Sequence, residues 1–315
     1  MKTTTFLAAT GAYLPARVLS NRELAPRVGV SEEWLFNVSG IRERRIASEE
    51  ETVDSMALEA SRRCLSQAHM RHTHPEVGAV VVACGAYSQL SPGPAARLAA
   101  ELGLRNCPAF DVNVASAGSI IGLNLAHILS AVYGNVLLVA SEKMSCLGLR
   151  EPLERAVAPL FGDGAAACLL RTDTGFAKLE ASVLHSDGKH WNDIRINDEG
   201  RFLMRGRSVI QQASKRIPES IREVLERTTT AVSDVAAFIV HQANLHVIYR
   251  AADALGVARD RFFCNIERYG NTSSASMLIA LHEWCVEHKW PEGDPVVLSA
   301  FGAGYHWGAA LLVGC

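Results

Sequence analysis

This 315-residue chain lacks most of the short patterns that assign a sequence at once. Its eight cysteines are Cys64, Cys84, Cys107, Cys146, Cys168, Cys264, Cys285 and Cys315. They form no C-x-x-C pair and keep no regular spacing. Most lie in apolar runs such as VVVACGA and AAACLL, the surroundings of reduced core thiols in a cytoplasmic protein. The eleven histidines show no zinc spacing, and His72-Thr73-His74 in its polar stretch reads as a solvated turn. No metal or cofactor is expected. No G-x-G-x-x-G opens a helix after the first strand, so a dinucleotide fingerprint is missing. The N-terminus lacks the apolar segment of about seven to fifteen residues that a secretion signal carries. No run approaches the ~20 apolar residues of a spanning helix. Charge is nearly balanced, 31 Lys and Arg against 33 Asp and Glu, so no overall field recruits nucleic acid or an anionic membrane. Local basic patches are confined to Arg42-Glu43-Arg44-Arg45 and the Arg201 to Arg207 stretch, RFLMRGR.

Hydrophobic residues make up 49% and charged residues 20%, enough for a sizeable core and for two packed halves. Apolar β-rich runs read as strands at 4–10, 77–84, 109–114, 136–141 and 165–171, then at 176–185, 236–241, 262–266, 294–300 and 308–314. Amphipathic segments at 53–69, 92–102, 117–133, 208–228, 244–255 and 273–288 read as helices. The segment at 117–133 is apolar nearly all round, as in a buried helix. This alternation predicts layered α/β architecture with strands buried on both faces. The polar turn RTDTGF at 171–176 divides residues 1–172 from 173–315 without a linker. Each half carries a strand that runs directly into a helix, at Asp111 to Ser116 and at Val240 to Asn244, and the two junctions read as counterparts.

Four motifs carry chemistry. Ser116 ends a strand and opens a helix among Ala115, Ala117 and Gly118. Unpaired N–H groups there could hold a developing oxyanion. Taken alone, Ser116 reads first as an N-cap. His241 ends the strand AAFIV, where a single histidine is more often a core residue than a catalyst. Gln242-Ala243-Asn244 follows it, Asn271 lies in GNTSSAS, and AFGAG at 300–304 resembles a tight turn near a ligand.

In combination, FDVNVASAG, HQAN, GNTSSAS and AFGAG resemble the ketoacyl-ACP synthase III branch of the thiolase-like superfamily. The resemblance runs nearly end to end, through Glu33-Trp34, Gly40 to Arg45, Phe161 to Ala166 and His185 to Gly188. It implies a five-layered αβαβα fold and a homodimer using acyl-CoA or acyl carrier protein. It implies acylation at position 116 from a thioester. His241 and Asn271 would then stabilise the enolate from a malonyl extender, whose carbanion attacks the acyl group. The N–H groups of Ser116 and Ala303 would form the oxyanion hole, with glycine usual at position 303. Asn244 would orient the site. Trp34, Gly206 and Arg207 would meet the CoA.

Position 116 departs from the family, which carries cysteine there. A thiol at a helix N-terminus ionises near neutral pH, whereas an alcohol is several units weaker as an acid. Ser116 needs a general base, and His241 is the candidate within the motifs. Three readings stay open: a natural variant doing condensation or simpler O- or N-acyl transfer or thioester hydrolysis, an introduced Cys→Ser substitution, or an inactive dimer partner. Val38 replaces the arginine that pairs with the family's tryptophan. Gln211 and His246 stand where basic residues are usual, with Arg205, Arg207, Lys215 and Arg216 as substitutes. Ser91 replaces an aromatic that reaches the partner's acyl pocket, which leaves room for a longer chain. Trp191 is a candidate for the entrance.

Overall fold

The computed structural model describes residues 4–315 apart from 72–75, 88 and 90, so the His72 to His74 segment lies outside the described residues. In chain order the first half carries β1 (Phe6–Tyr13), β2 (Arg17–Ser20), α1 (Asn21–Val28), α2 (Glu32–Ser39), β3 (Glu43–Ile46), α3 (Val53–Arg71), β4 (Ala79–Ala83), α4 (Pro94–Glu101), β5 (Ala109–Val112), α5 (Gly118–Tyr133), β6 (Val136–Lys143), α6 (Ser145–Gly148) and β7 (Asp163–Arg171). The second carries β8 (Ala177–Ser186), β9 (Ile194–Ile196), β10 (Phe202–Met204), α7 (Gly206–Thr228), β11 (Ala237–Val240), α8 (Leu245–Leu255), α9 (Ile266–Tyr269), α10 (Ser276–Glu287), β12 (Pro295–Gly302) and β13 (His306–Gly314).

Nine strands hydrogen-bond in the order β11-β12-β13-β8-β1-β7-β6-β4-β5. The halves join through a short antiparallel pairing, Phe6 with Lys178 and Leu7 with Ala177. Side chains alternate along each strand, which sorts the core into layers. Val80 and Val82 face Met56, Ala60 and Leu98 of α3 and α4. Val81 faces inward with Leu138 and Cys168, onto Ile120 and Leu123 of α5 and Met277 and Leu281 of α10. The same inner core reaches Ile239, Leu298 and Leu312 of the second half. Beyond those strands, Phe238, Val297 and Leu311 pack on Ile221, Val224 and Val247 of α7 and α8. The layers therefore run α3/α4, strands, α5/α10, strands, α7/α8, the thiolase-like αβαβα arrangement. Each fully buried Val, Leu or Ile contributes about 1.5–3 kcal/mol relative to exposure.

Four expectations need correction. The stretch Ala115–Tyr133 is long and apolar enough, by length and composition, to cross a bilayer. In the fold it is the middle-layer helix, with Ile120, Leu123 and Ala126 buried between the sheets. The strand at 262–266 is a single bridge, Phe238 to Phe262. Asn265 is then captured by Gln242 Oε1 and Glu283 Oε2, and the chain turns into α9. Arg44 is no surface charge: it is buried, donating to Leu19 O, Asn21 Oδ1 and Pro159 O, and burial pushes it down to about 10. The repeat also pairs differently. The segment from β1 through α3, β4, α4, α5, β6 and β7 recurs in order as β8, α7, β11, α8, α10, β12 and β13. The counterpart of the turn at Ser116 is thus the turn before α10, not the end of β11.

Candidate active site

Ser116 does not cap a helix. Ala115–Ala117 form a 3-10 turn between β5 and α5, and the helix begins at Gly118 without a side-chain cap. Ala115 holds φ +46°, a left-handed conformation that non-glycine residues seldom adopt. Ser273–Ala275 form a matching turn before α10, and Ser273 holds φ +48°. The two turns meet: Ser116 Oγ lies 3.4 Å from Ser273 Oγ, its only hydrogen-bond partner among the described residues' side chains.

The end of β12 closes against this junction. A Cβ on Gly302 would stand 2.5 Å from Ala117 N and 3.1 Å from Ser116 N, so only glycine fits. Ala303 follows it at the cavity wall. Asp111, in the motif before Ser116, accepts from Ala95 N at 2.8 Å and so caps α4.

His241 is buried at the end of β11. Its Nδ1 lies 2.6 Å from Ser276 Oγ, which accepts from Gln242 N at 3.1 Å. The one proton of that hydroxyl is then available to Nδ1, which leaves Nε2 carrying the hydrogen as a donor. Asn271 Oδ1 accepts from Ser273 N at 2.8 Å, so its amide Nδ2 is the end left to donate. The pair is an arrangement of two neutral donors. Burial pushes His241 down to about 3 from its ordinary 6.5.

That depression has a stability consequence. In the unfolded chain His241 takes a proton as pH falls below 6.5, while the folded chain resists it until about pH 3. Stability is therefore full above pH 6.5 and lost as pH falls through that window, by about 1.4 kcal/mol per unit for one such proton. His127, His282 and His306 are lowered in the same direction by burial. Urea unfolding at pH 7, 6 and 5 is expected to show this slope, and His241→Gln to make it shallower. An unchanged slope in the variant would contradict it.

Ser116, His241, Asn271, Ala303, Asn244, Trp34 and Gly206 all line one cavity of about 490 Å³. Met144, Leu147, Phe161, Phe202, Val209 and Ile210 give it apolar walls. Asn244 accepts from His246 N and donates to Val38 O, so its own bonds cap α8 and tie it to α2. Arg207 and Ser91 are exposed and do not line the cavity, and neither does Trp191. Arg205 pairs with Asp193, Lys215 with Glu219, and Arg216 with Asp187 and Glu219. The motifs do not reveal Arg195, which lines the cavity and has no ion-pair partner among the described residues. Ser276 closes the motif GNTSSAS, but its bond to His241 is not legible there, and the motifs miss the buried Glu142, a carboxylate closing the apolar run VLLVASE. A charge ending a fully buried strand is the available signal.

The family description 3-oxoacyl-[acyl-carrier-protein] synthase III matches residues 110–188, and that of its C-terminal part matches residues 225–313. A β-ketoacyl-[acyl-carrier-protein] synthase III of Aquifex aeolicus is 35% identical over 98% of this chain and 99% of its own. One from Xylella fastidiosa is 35% identical over 97% of each. The Aquifex aeolicus 3-oxoacyl-[acyl-carrier-protein] synthase III structure superposes with a TM-score of 0.92 over 98% of this chain and 99% of that one. The priming β-ketosynthase of the R1128 polyketide pathway, 32% identical, gives 0.90 over 99% and 97%. The chain belongs to the 3-oxoacyl-[acyl-carrier-protein] synthase III family. It is an acyltransferase of the ketosynthase III type.

Proposed function

We propose that Ser116 accepts an acyl group from a CoA or carrier-protein thioester and holds it as an oxoester. The observation that carries this is convergence: Ser116, His241, Asn271 and Ala303 line one apolar cavity. The thioester oxygen sits at the Ser116 and Ala303 N–H groups, where charge develops during attack. A malonyl thioester then binds its carbonyl oxygen to His241 Nε2–H and Asn271 Nδ2–H. Loss of carbon dioxide leaves an enolate held by those two donors. Its carbon attacks the acyl carbonyl, the bond from that carbon to the Ser116 oxygen breaks, and the oxygen takes a proton from solvent water. A neutral His241 suits this donor role, while its lowered basicity and the engagement of Nδ1 by Ser276 argue against its serving as base.

Trp34 at the cavity wall and the unpaired Arg195 favour a phosphorylated, pantetheine-bearing donor. Simple transfer to an O- or N-nucleophile is favoured by the hydroxyl itself, since an oxoester is a weaker donor to a carbanion than a thioester. An inactive partner role fits poorly with an intact set of donors. The test is to supply acetyl-, butyryl- and octanoyl-CoA and the matching carrier-protein thioesters, then malonyl thioester. Carbon dioxide release with a product two carbons longer supports condensation. Consumption of the donor without carbon dioxide supports transfer. No adduct and no turnover with any donor would sink the acylated serine.

The assembly we propose is a homodimer. β5 lies at one end of the nine-strand order, with Phe110 exposed on it, and Ile128, Val132 and Tyr133 are exposed on the adjoining α5. An open strand edge beside apolar side chains suits a second copy of this chain. Sedimentation at micromolar concentration is expected to give a dimer, weakened by Phe110→Asp. A monomer throughout would contradict it.

A further inference from the structure

Glu142 is fully buried at the end of β6 and makes no salt bridge among the described residues. Burying a carboxyl without a cation is costly unless its hydrogen bonds are complete. Those of Glu142 come from two segments far apart in the chain. Its Oε1 accepts from Gly85 N at 3.0 Å, Ser274 N at 3.2 Å and Ser274 Oγ at 2.7 Å. Its Oε2 accepts from Ala86 N at 3.1 Å. Gly85 and Ala86 lie in the loop after β4, and Ser274 lies in the 3-10 turn before α10. Ser274 Oγ also stands 3.1 Å from Ala83 O, a second tie between the same two segments.

Both segments press on the turn that carries Ser116. A Cβ on Gly85 would stand 3.0 Å from the Cα of Ala115, the residue held at φ +46°. A Cβ on Gly118 would stand 3.0 Å from Ser274 Cβ. Ser273, beside Ser274, places its Oγ 3.4 Å from Ser116 Oγ and donates its N–H to Asn271 Oδ1 at 2.8 Å. Gly85, Ala86, Ser116, Asn271 and Ser273 all line the cavity, and Glu142 does not. It stands behind them, out of reach of a substrate in that cavity.

We propose that Glu142 is a positioning residue for acyl loading, fixing the loop at Gly85 and the turn at Ser274 on either side of the Ser116 turn. The inference rests on the acylated serine proposed above. The N–H groups of Gly85, Ala86 and Ser274 can only donate, so both carboxyl oxygens must accept. Glutamine keeps the size of the side chain but has one oxygen. Its NH2 would face the N–H of Ala86, or after a flip those of Gly85 and Ser274, and one segment would be released. A left-handed alanine persists only where its surroundings hold it. With Gly85 or Ser274 loosened, Ala115 relaxes and Ser116 Oγ moves off its line of attack on the thioester carbon.

The test measures single-turnover acylation by intact mass, with acetyl-, butyryl- and octanoyl-CoA at rising concentration. Glu142→Gln is expected to lower the maximal rate by about 10²-fold, the scale of a misplacement of about 1 Å, with the half-saturating concentration nearly unchanged. Ser274→Ala removes one of the four donors and is expected to lower it by about tenfold. Val80→Ala, buried on β4 against α3 and α4, is expected to lower thermal stability and keep the parent rate. A fall in Glu142→Gln that Val80→Ala matches would assign the effect to a loosened fold and overturn the positioning role. So would a parent-like maximal rate in Glu142→Gln, or a change confined to the half-saturating concentration. If Glu142→Gln does not fold, Ser274→Ala decides, and a parent-like rate there overturns the role. Each of these outcomes leaves the acylated serine standing. No adduct in the parent protein with any donor would overturn both.

Discussion

Ser116→Ala is expected to form no acyl adduct and to turn over at least ~10³-fold more slowly than the parent protein. The substitution removes one oxygen and little else. Ser116 Oγ has a single side-chain hydrogen bond, to Ser273, and its 3-10 turn is built from alanines on either side. Fold and thermal stability are therefore expected to stay close to the parent. The contrast with His241→Ala separates the two half-reactions. His241 is a neutral donor whose Nδ1 is tied to Ser276, so its loss is expected to spare loading and to depress decarboxylation by ~10²-fold or more. Intact mass reads the first step and labelled carbon dioxide the second. If both variants lost loading equally, His241 would be the base.

Gly302→Ala is expected to lower turnover by about 10²–10³-fold, the range seen when one oxyanion donor is displaced. The added Cβ would fall 2.5 Å from Ala117 N and 3.1 Å from Ser116 N, distances that the backbone must relieve by moving apart. The turn carrying Ser116 and the loop carrying Ala303 would separate, so their N–H groups would no longer converge on one oxygen. Trp34 and Arg195 line the cavity from other elements, α2 and β9, and are expected to stay in place. The expected signature is a fall in kcat with KM nearly unchanged. Parent-like turnover would show that the hole is built elsewhere.

Many of these features are legible in the sequence. β4 reads as VGAVVVAC because both its faces are covered, and α5 reads as apolar all round because it lies between sheets. The motifs around Ser116, His241, Asn271 and Gly302 stand out as strand ends with small residues. The segment from β2 to β3 gives no clear periodicity, since its strands are four residues long and its helices eight. Phe262–Ile266 has the composition of a strand, yet side chains on Gln242 and Glu283 draw Asn265 out of the sheet. The correspondence of the turns at Ser116 and Ser274 is hidden because it lies in backbone twist and not in residue identity. Arg44 resembles surface charge because sequence shows a charge and not the three oxygens that bury it. No motif marks Glu142, because the groups that hold it, Gly85 N, Ala86 N and Ser274, come from segments far from it in the chain.

Loading and condensation both depend on an acyl group at the Ser116 oxygen. Peptide mapping reads that group directly, after mixing the parent protein with acyl-CoA donors and quenching in acid. The expected result is the acyl mass on the peptide holding Ser116, stable to neutral hydroxylamine as an oxoester is, and absent from Ser116→Ala. An acyl group on another residue, or full turnover by Ser116→Ala, would show that Ser116 is not the acyl acceptor.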